Sequence, residues 1–305
     1  MMIKKLLANV GSYKKDSLMT PVYVAGEVAL NVIMPLIMAM MIDQGIEKGD
    51  ASVILRDGGL LFLLSLLALL LGTLGGRTAA IASAGFARNL RHNLFTRIQD
   101  FSFSNIDRFS SASLITRMTT DVTNVQNAYQ MIIRILVRSP LVLIFSLVMV
   151  STISPELMTI YLVVLPILAI GLALVIKFAH PLFLKVFRIY DKLNNVVQEN
   201  LQGVRVVKSY VREEQQEEIF DKVSEDVYRN FTLAQRIVSF NMPLMQFSVY
   251  TCMLLLSWFG AQLIVEQSSL TTGELVSMFN YTMQILMSLM MMSMALCQFL
   301  IARIS

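Results

Sequence analysis

Cysteine and histidine are scarce in this sequence, with two of each in 305 residues. Two cysteines cannot form a disulfide framework, and so few soft ligands cannot hold zinc or iron without several carboxylates. The long apolar segments also lack a histidine cluster or a set of Ser, His and Asp from which a catalytic site could be built. The sequence therefore predicts no catalytic residue and no metal site in this chain.

Charge is equally sparse. Charged residues make up 15% of the chain and hydrophobic residues 55%, which excludes an ordinary soluble protein. The formal net charge of +4 is too small to indicate a nucleic-acid partner. The composition is that of an integral membrane protein whose surroundings are the lipid bilayer.

Six segments are apolar over roughly 20 residues or more, the length a helix needs to cross the hydrocarbon core. Glu27 and Arg77 are the charges within the first two. Arg134 and Arg138 are placed at the end of the third, where long basic side chains reach the headgroups. The sequence predicts an all-α, multi-pass membrane protein with spans at about 18–42, 58–84, 134–153, 157–176, 237–265 and 275–302.

Basic residues outside these spans are unevenly divided between the two sides of the membrane. They number 19 in segments 1–17, 86–128 and 177–236, and 2 in segments 43–57, 154–156 and 266–274. Because basic loops stay on the cytoplasmic side, both termini are predicted to be cytoplasmic.

The N-terminal residues 1–17 are predicted to form a helix at the membrane interface, since apolar residues recur at helical spacing among lysines. These apolar residues are Ile3, Leu6, Leu7 and Val10. A disordered terminus is the alternative. A cleaved signal peptide is disfavoured because the apolar run that follows is longer than such a peptide carries.

The two long basic segments, about 86–128 and 177–236, keep apolar residues at three- and four-residue intervals. They are predicted to form two long cytoplasmic helical hairpins, here called the first and second arm. Helix breaks are expected at 105–107 and 110–113 in the first arm and at Gly203 in the second. Glu213 and Glu214 suit the start of a new helix, whose dipole favours anions.

Glycines in the second span are predicted to serve helix packing. Gly72, Gly76, Ala80 and Ala84 form a stripe of small residues that lets another helix approach closely. The glycines at 72–77 do not make a nucleotide site, because the pattern G-x-x-x-x-G-K-[ST] occurs nowhere in the sequence. The chain is therefore not expected to be an ATP-hydrolysing enzyme by itself.

At the arm tips the sequence resembles the ABC exporters. DRFSSASLITRMTTDV at 107–122 is similar to their first intracellular loop, ENLQGVRVVKSY at 199–210 to their second, and LTTGELV at 270–276 to the turn before their sixth helix. The matches stand in the family's order and the similarity covers essentially the whole chain. The sequence at 105–117 is similar to that of bacterial members that work as heterodimers, although Ser111 and Ala112 replace the usual Thr-Gly.

The resemblance implies that residues 18–305 form an ABC exporter transmembrane domain in a bacterial plasma membrane. It also implies a second transmembrane half, as a homodimer or heterodimer, and a nucleotide-binding domain that binds ATP and magnesium and lies in a continuation of this chain or in a separate chain. The arm tips would be coupling helices that dock on that domain. The corresponding residues are Ser111, Ala112, Ser113, Leu114, Arg117 and Asp121 in the first arm, and Gly203, Val204, Arg205, Val207, Lys208 and Tyr210 in the second.

Candidate residues of a substrate pathway come from two observations. Glu27 and Arg77 are charges inside spans, and burying a charge in lipid costs at least a few kcal/mol. The sixth span is rich in methionine, whose flexible, polarisable side chain suits dissimilar apolar or amphipathic molecules such as drugs and lipids; packing alone is the alternative. Its candidate residues are Phe279, Met283, Gln284, Met287, Met290 and Met291.

Two functions remain open at this point. The first is the transmembrane subunit of an ATP-driven exporter that alternates between two sides of the membrane. The alternative is a secondary transporter or channel with cytoplasmic gating helices. Ion-driven transport requires several carboxylates that converge within the membrane, and Glu27 is the only carboxylate within the predicted spans that could take this role.

The predicted topology can be tested by cysteine labelling in a background without Cys252 and Cys297. A membrane-impermeant thiol reagent applied from outside is expected to label a cysteine introduced at position 50 or 268, and to leave one at position 112 or 205 unlabelled. Labelling of the second pair and protection of the first would contradict the cytoplasmic assignment of the arms.

Overall fold

A computed structural model describes residues 8–101, 111–266 and 270–304, and every regular element in those ranges is helical. A 3-10 turn, Ala8–Tyr13, precedes α1, and π-helical residues Met41–Ile46 follow it. A second π-helical segment, Arg117–Asp121, connects α3 to α4. The helices are α1 (Lys14–Met40), α2 (Ala51–Gln99), α3 (Ser111–Thr116), α4 (Val122–Ile153), α5 (Pro155–Ser209), α6 (Glu213–Ser239), α7 (Asn241–Val265) and α8 (Thr272–Ile304).

The prediction of an all-α protein with six membrane spans is confirmed, since six helical stretches are long and apolar enough to cross a bilayer. Two helices far exceed that need. α2 has 49 residues and α5 has 55, more than twice the roughly 20 that a span requires. Both helices therefore continue beyond the hydrocarbon core as the predicted arms.

The chain divides into two compact units, 1–164 with 249–305, and 165–248. In the first unit, α1 packs along α2 and α4, and α8 packs on α4 and α1. The second unit contains most of α5, all of α6 and the beginning of α7.

The N-terminal segment is held against protein. Val10 is buried in a cluster with residues of α2 and α4, where the rings of Phe86 and Tyr129 stack with centroids 4.7 Å apart. The Asn89 side chain donates to the Asn9 carbonyl at 2.9 Å. Of the predicted interfacial helix 1–17, the described part is thus a 3-10 turn docked on α2 followed by the first four residues of α1, while Ile3, Leu6 and Leu7 lie outside the described residues.

The prediction of a helix break at Gly203 is wrong. α5 continues through Gly203 to Ser209, and the chain turns at 210–212, where Val211 has a positive φ of 53°. A single interior glycine costs a helix only about 1 kcal/mol relative to alanine, which its helical neighbours offset. The new helix does begin at Glu213, as predicted. In the first arm, 105–107 and Ser110 lie outside the described residues.

A seam of hydrogen bonds joins α8 to α1 around Pro35. Proline has no N–H, so the Asn31 carbonyl four residues earlier loses its helical donor. The Gln284 amide donates to that carbonyl at 3.4 Å. The Tyr281 hydroxyl donates to the Val32 carbonyl at 2.7 Å, and the Ser277 hydroxyl donates to the Pro35 carbonyl.

The seam continues to the N-terminus of α8. Asp43, in the π-helical segment after α1, accepts hydrogen bonds from the Thr271 hydroxyl and the Gly273 N–H, each at 2.7 Å. Its carboxylate therefore satisfies an N–H of the first turn of α8, a position that favours negative charge. A Cβ on Gly273 would lie 2.3 Å from the Ala39 carbonyl oxygen, so the two backbones approach as closely as glycine allows.

Substitution Gly273→Ala tests this close approach. The added methyl group would force α1 and α8 apart, and we expect a loss of about 1–3 kcal/mol, seen as a lower unfolding temperature of the purified protein in detergent. Gly203→Ala is the matched control, because a Cβ there meets nothing within 4 Å and alanine favours a helix interior. The control should be neutral or stabilising, and equal behaviour of the two variants would contradict the packing described here.

Candidate functional site

Two adjoining cavities open in the first unit between α1, α2, α4 and α8. One has a volume of about 720 Å³ and the other of about 610 Å³. Both are lined by Asn31, Met34 and Arg134, so they form one groove, here called the charged groove. Its walls come from segments predicted to lie within the membrane.

The charged groove contains three guanidinium groups and one carboxylate. Arg138 donates from Nη1 to the Glu27 carboxylate at 2.5 Å, and the exposed fractions of the two side chains are 35% and 13%. Arg77 and Arg134 form no ion pair with another described residue. Three positive charges against one negative charge leave an excess of two.

Two glycines of α2 lie beside these charges. A Cβ on Gly72 would lie 3.3 Å from the Glu27 carboxyl carbon, which is a tight contact, and one on Gly76 would lie 3.7 Å from Arg134 Nη1, which is an ordinary one. Gly72 therefore leaves space for the carboxylate. Ala80 and Ala84 of the predicted small-residue stripe are exposed in this chain.

One face of α8 closes the charged groove. Of the predicted pathway residues, Gln284, Met287 and Met291 line it, together with Asn280. These positions follow one another by four, three and four residues, the spacing of a single helix face. Phe279, Met283 and Met290 do not line the groove. The opposite face of α8 is core, with Met278, Tyr281, Ile285, Leu286 and Leu289 buried.

Asn31, Met34 and Met38 also line the groove and were not predicted from the sequence. Their spacing contains a usable signal, since they follow Glu27 by four, seven and eleven residues and so share its helix face. The sequence also did not predict the role of Arg138, which was placed at the headgroups but pairs with Glu27. Nothing local indicates a partner 111 residues away.

The tip of the second arm exposes apolar side chains. The exposed fractions are 60% for Val206, 75% for Tyr210 and 82% for Val211. Val207 points differently, being half-buried, and it lines a cavity of about 440 Å³ between the end of α5 and the start of α6. Of the other predicted residues, Val204 and Lys208 also line this cavity, Arg205 is exposed and Gly203 is half-buried within α5.

The predicted residues of the first tip fall on two elements. Ser111, Ala112, Ser113 and Leu114 lie in α3, whereas Arg117 and Asp121 lie in the π-helical segment that follows it. Arg91 of α2 was missed by sequence analysis. It donates to the Met118 carbonyl at 3.3 Å and to the Thr123 hydroxyl at 3.2 Å. These bonds connect α2 to the chain that follows α3, beside the tip of the first arm.

Six apolar helices with long arms and a charged groove define a multi-pass membrane protein of the transporter class. Residues 19–302 match the family model of the ABC transporter transmembrane region. The chain belongs to this family.

Several curated relatives are similar to this chain. The uncharacterised ABC transporter ATP-binding protein YfiB of Bacillus subtilis is 33% identical over 85% of this chain and 45% of its own length. An uncharacterised ABC transporter ATP-binding protein of Mycobacterium tuberculosis is 30% identical over 87% of this chain and 46% of its own. An ATP-dependent lipid A-core flippase of Pseudomonas savastanoi is 25% identical over 67% and 34%. This chain thus spans less than half the length of these relatives.

A double-mutant cycle on Glu27 and Arg138 tests the ion pair. Glu27→Gln or Arg138→Gln alone leaves a partly buried charge without its partner. We therefore expect the double variant to lose less free energy of unfolding than the sum of the losses in the two single variants. The coupling should be on the order of 1–3 kcal/mol, measured by equilibrium unfolding in mixed micelles.

The exposed pair Glu218 and Lys222 on α6 is the control for that cycle. Its nitrogen and oxygen are 2.7 Å apart with both side chains largely exposed, and the hydrogen bond from Lys222 lowers the pKa of Glu218. Such a surface pair should show a coupling of about 0.5 kcal/mol or less. A coupling at Glu27 and Arg138 no larger than this would contradict a structural role for the pair.

Proposed function

We propose that this chain is the transmembrane half of an ATP-driven exporter of amphipathic molecules. It would pair with a second transmembrane half, identical or homologous, and form the substrate pathway with it. Both termini would face the cytoplasm of a bacterium, where the arms meet the nucleotide-binding domains. Family membership and the charged groove support this proposal, and the second arm tip is the observation on which it rests.

The second arm tip has the surface of a docking element. Val206, Tyr210 and Val211 expose apolar area at the end of a hairpin, where nothing in the described chain covers them. Contiguous exposed apolar side chains mark contact sites in folded proteins. Val211 also holds a positive φ, which is costly for a β-branched residue, on the order of 1–3 kcal/mol. A docked partner that buries this side chain would offset that strain.

The nucleotide would be held by the partner domain. This chain has no phosphate-binding loop, so its residues do not fit ATP or the magnesium ion that accompanies it. Its own contribution would be mechanical: movement of a docked domain shifts the arm, and the arm continues as helix into the spans. Coupling of this kind needs two alternative packings of the helices, each stabilised in turn by its ligands.

Secondary transport has less support. Glu27 is the one carboxylate that lines the charged groove in the described part of the chain, and it is paired with Arg138. An ion-coupled carrier needs carboxylates that can bind and release a cation. The Glu27 carboxylate is already paired with the Arg138 guanidinium group and is not open to a cation.

The docking function is tested by Val206→Asp with Tyr210→Asp in the complete transporter. Both side chains are exposed, so the arm should still fold, whereas two carboxylates buried in an apolar contact without partners cost several kcal/mol. We expect normal membrane insertion and substrate binding, with loss of transport and of substrate-stimulated ATP hydrolysis.

Tyr228→Asp is the matched control, since Tyr228 is 66% exposed on α6 of the same arm but lies away from the turn. It should leave transport and ATP hydrolysis close to those of the unsubstituted protein. If the tip variant transports as well as the control, the second arm does not couple the two domains.

A further inference from the structure

We propose that the charged groove selects amphipathic anions, molecules with an apolar body and a carboxylate, phosphate or sulfate group. This inference rests on the proposed transport function and narrows its substrate class. It is carried by the arrangement of four charged side chains and by the apolar side chains that line the same groove.

Arg77 and Arg134 supply the positive charge. Both line the same cavity, and neither has an acidic partner among the described residues. A guanidinium presents a planar fork of N–H donors that matches the oxygens of a carboxylate or a phosphate. Arg77 is exposed and Arg134 half-buried, so an anion that enters the groove can reach these guanidinium groups and form charge-assisted hydrogen bonds.

Arg138 and Glu27 do not cancel this preference. Arg138 is engaged by Glu27, which removes one positive and one negative charge from competition for a ligand. A cationic ligand would have to displace Arg138 from Glu27 and then face three guanidinium groups. An anionic ligand meets Arg77 and Arg134 without breaking the pair, so the groove discriminates by charge.

The groove is also lined by apolar, adaptable side chains. Met34 of α1 with Met287 and Met291 of α8 line it, and thioether side chains adjust to irregular apolar shapes. Asn31 and Gln284 add uncharged polar groups to the lining. The cavity volumes of about 720 and 610 Å³ are large enough for a chain or a ring system beside a charged headgroup.

The test measures binding to the complete transporter in nanodiscs of uncharged lipid. Three dansyl-labelled dodecyl probes are compared, ending in a phosphate, a hydroxyl or a trimethylammonium group. We expect the phosphate probe to bind most tightly, by roughly tenfold or more over the trimethylammonium probe, with a preference that shrinks as salt is added. Equal binding of the phosphate and trimethylammonium probes would overturn the proposal without any variant.

Substitutions locate the preference. Arg77→Gln with Arg134→Gln should weaken the phosphate probe by roughly tenfold and leave the hydroxyl probe nearly unchanged, while Arg77→Lys with Arg134→Lys should retain the charge preference. Arg188→Gln with Arg236→Gln removes the same charge from two exposed positions of the other unit and should change none of the affinities. Equal weakening of all three probes by the Gln pair would overturn the assignment of these arginines.

Inorganic phosphate distinguishes the source of the anion. If inorganic phosphate displaces the phosphate probe, the headgroup suffices for binding, as for a soluble anion. If only unlabelled dodecyl phosphate displaces it, the substrate is lipid-like. Both results support anion selection.

Another result distinguishes this inference from the proposed function. If the transporter binds and moves the hydroxyl or trimethylammonium probe in an ATP-dependent way without preferring the phosphate, export stands and anion selection falls.

Discussion

Polar groups in hydrocarbon have no water to bond with, so each needs a partner supplied by the protein. The helices satisfy this requirement for most of the backbone, and Pro35 is one of two prolines within α1 that remove a helical hydrogen bond. The freed Asn31 carbonyl and the nearby Val32 and Pro35 carbonyls accept from side chains of α8. This repair orients α8, because three donors on one face must meet three carbonyls of α1. Gln284 also accepts from the Ser146 hydroxyl of α4, and Met287 and Met291 on its face of α8 border the charged groove.

The same requirement governs the charges. Glu27 lies deep in α1 and is stable there because Arg138 reaches it and Gly72 leaves space for its carboxylate. Arg77 and Arg134 line the groove and have no acidic partner among the described residues. The division of the four charges into one ion pair and two such arginines follows from packing, and it is the basis for the anion preference proposed above.

The arms are under a different constraint because they lie beyond the hydrocarbon. α6 is the most polar of the long helices, with exposed ion pairs at four-residue spacing, each of which contributes a few tenths of a kcal/mol. What distinguishes the second arm is its tip, where apolar side chains remain exposed and Val211 adopts a backbone conformation that glycine would adopt more easily. Neither feature benefits an isolated hairpin. Both features are the basis for the docking proposed above.

Some properties of this protein follow from the sequence alone. The six spans, the all-α class and the new helix at Glu213 follow from hydropathy, periodicity and first-turn charge, which are local and therefore legible in a linear pattern. Gly203 shows the limit of local reasoning, because one weak residue does not end a helix that its neighbours sustain. Other properties depend on the tertiary structure: that Arg138 pairs with Glu27, that Gly72 leaves space for the Glu27 carboxylate, and that Met287 and Met291, but not Met283 and Met290, line the groove. These depend on which helix face meets which neighbour, a choice made by contacts between residues far apart in the sequence, and no local pattern records it.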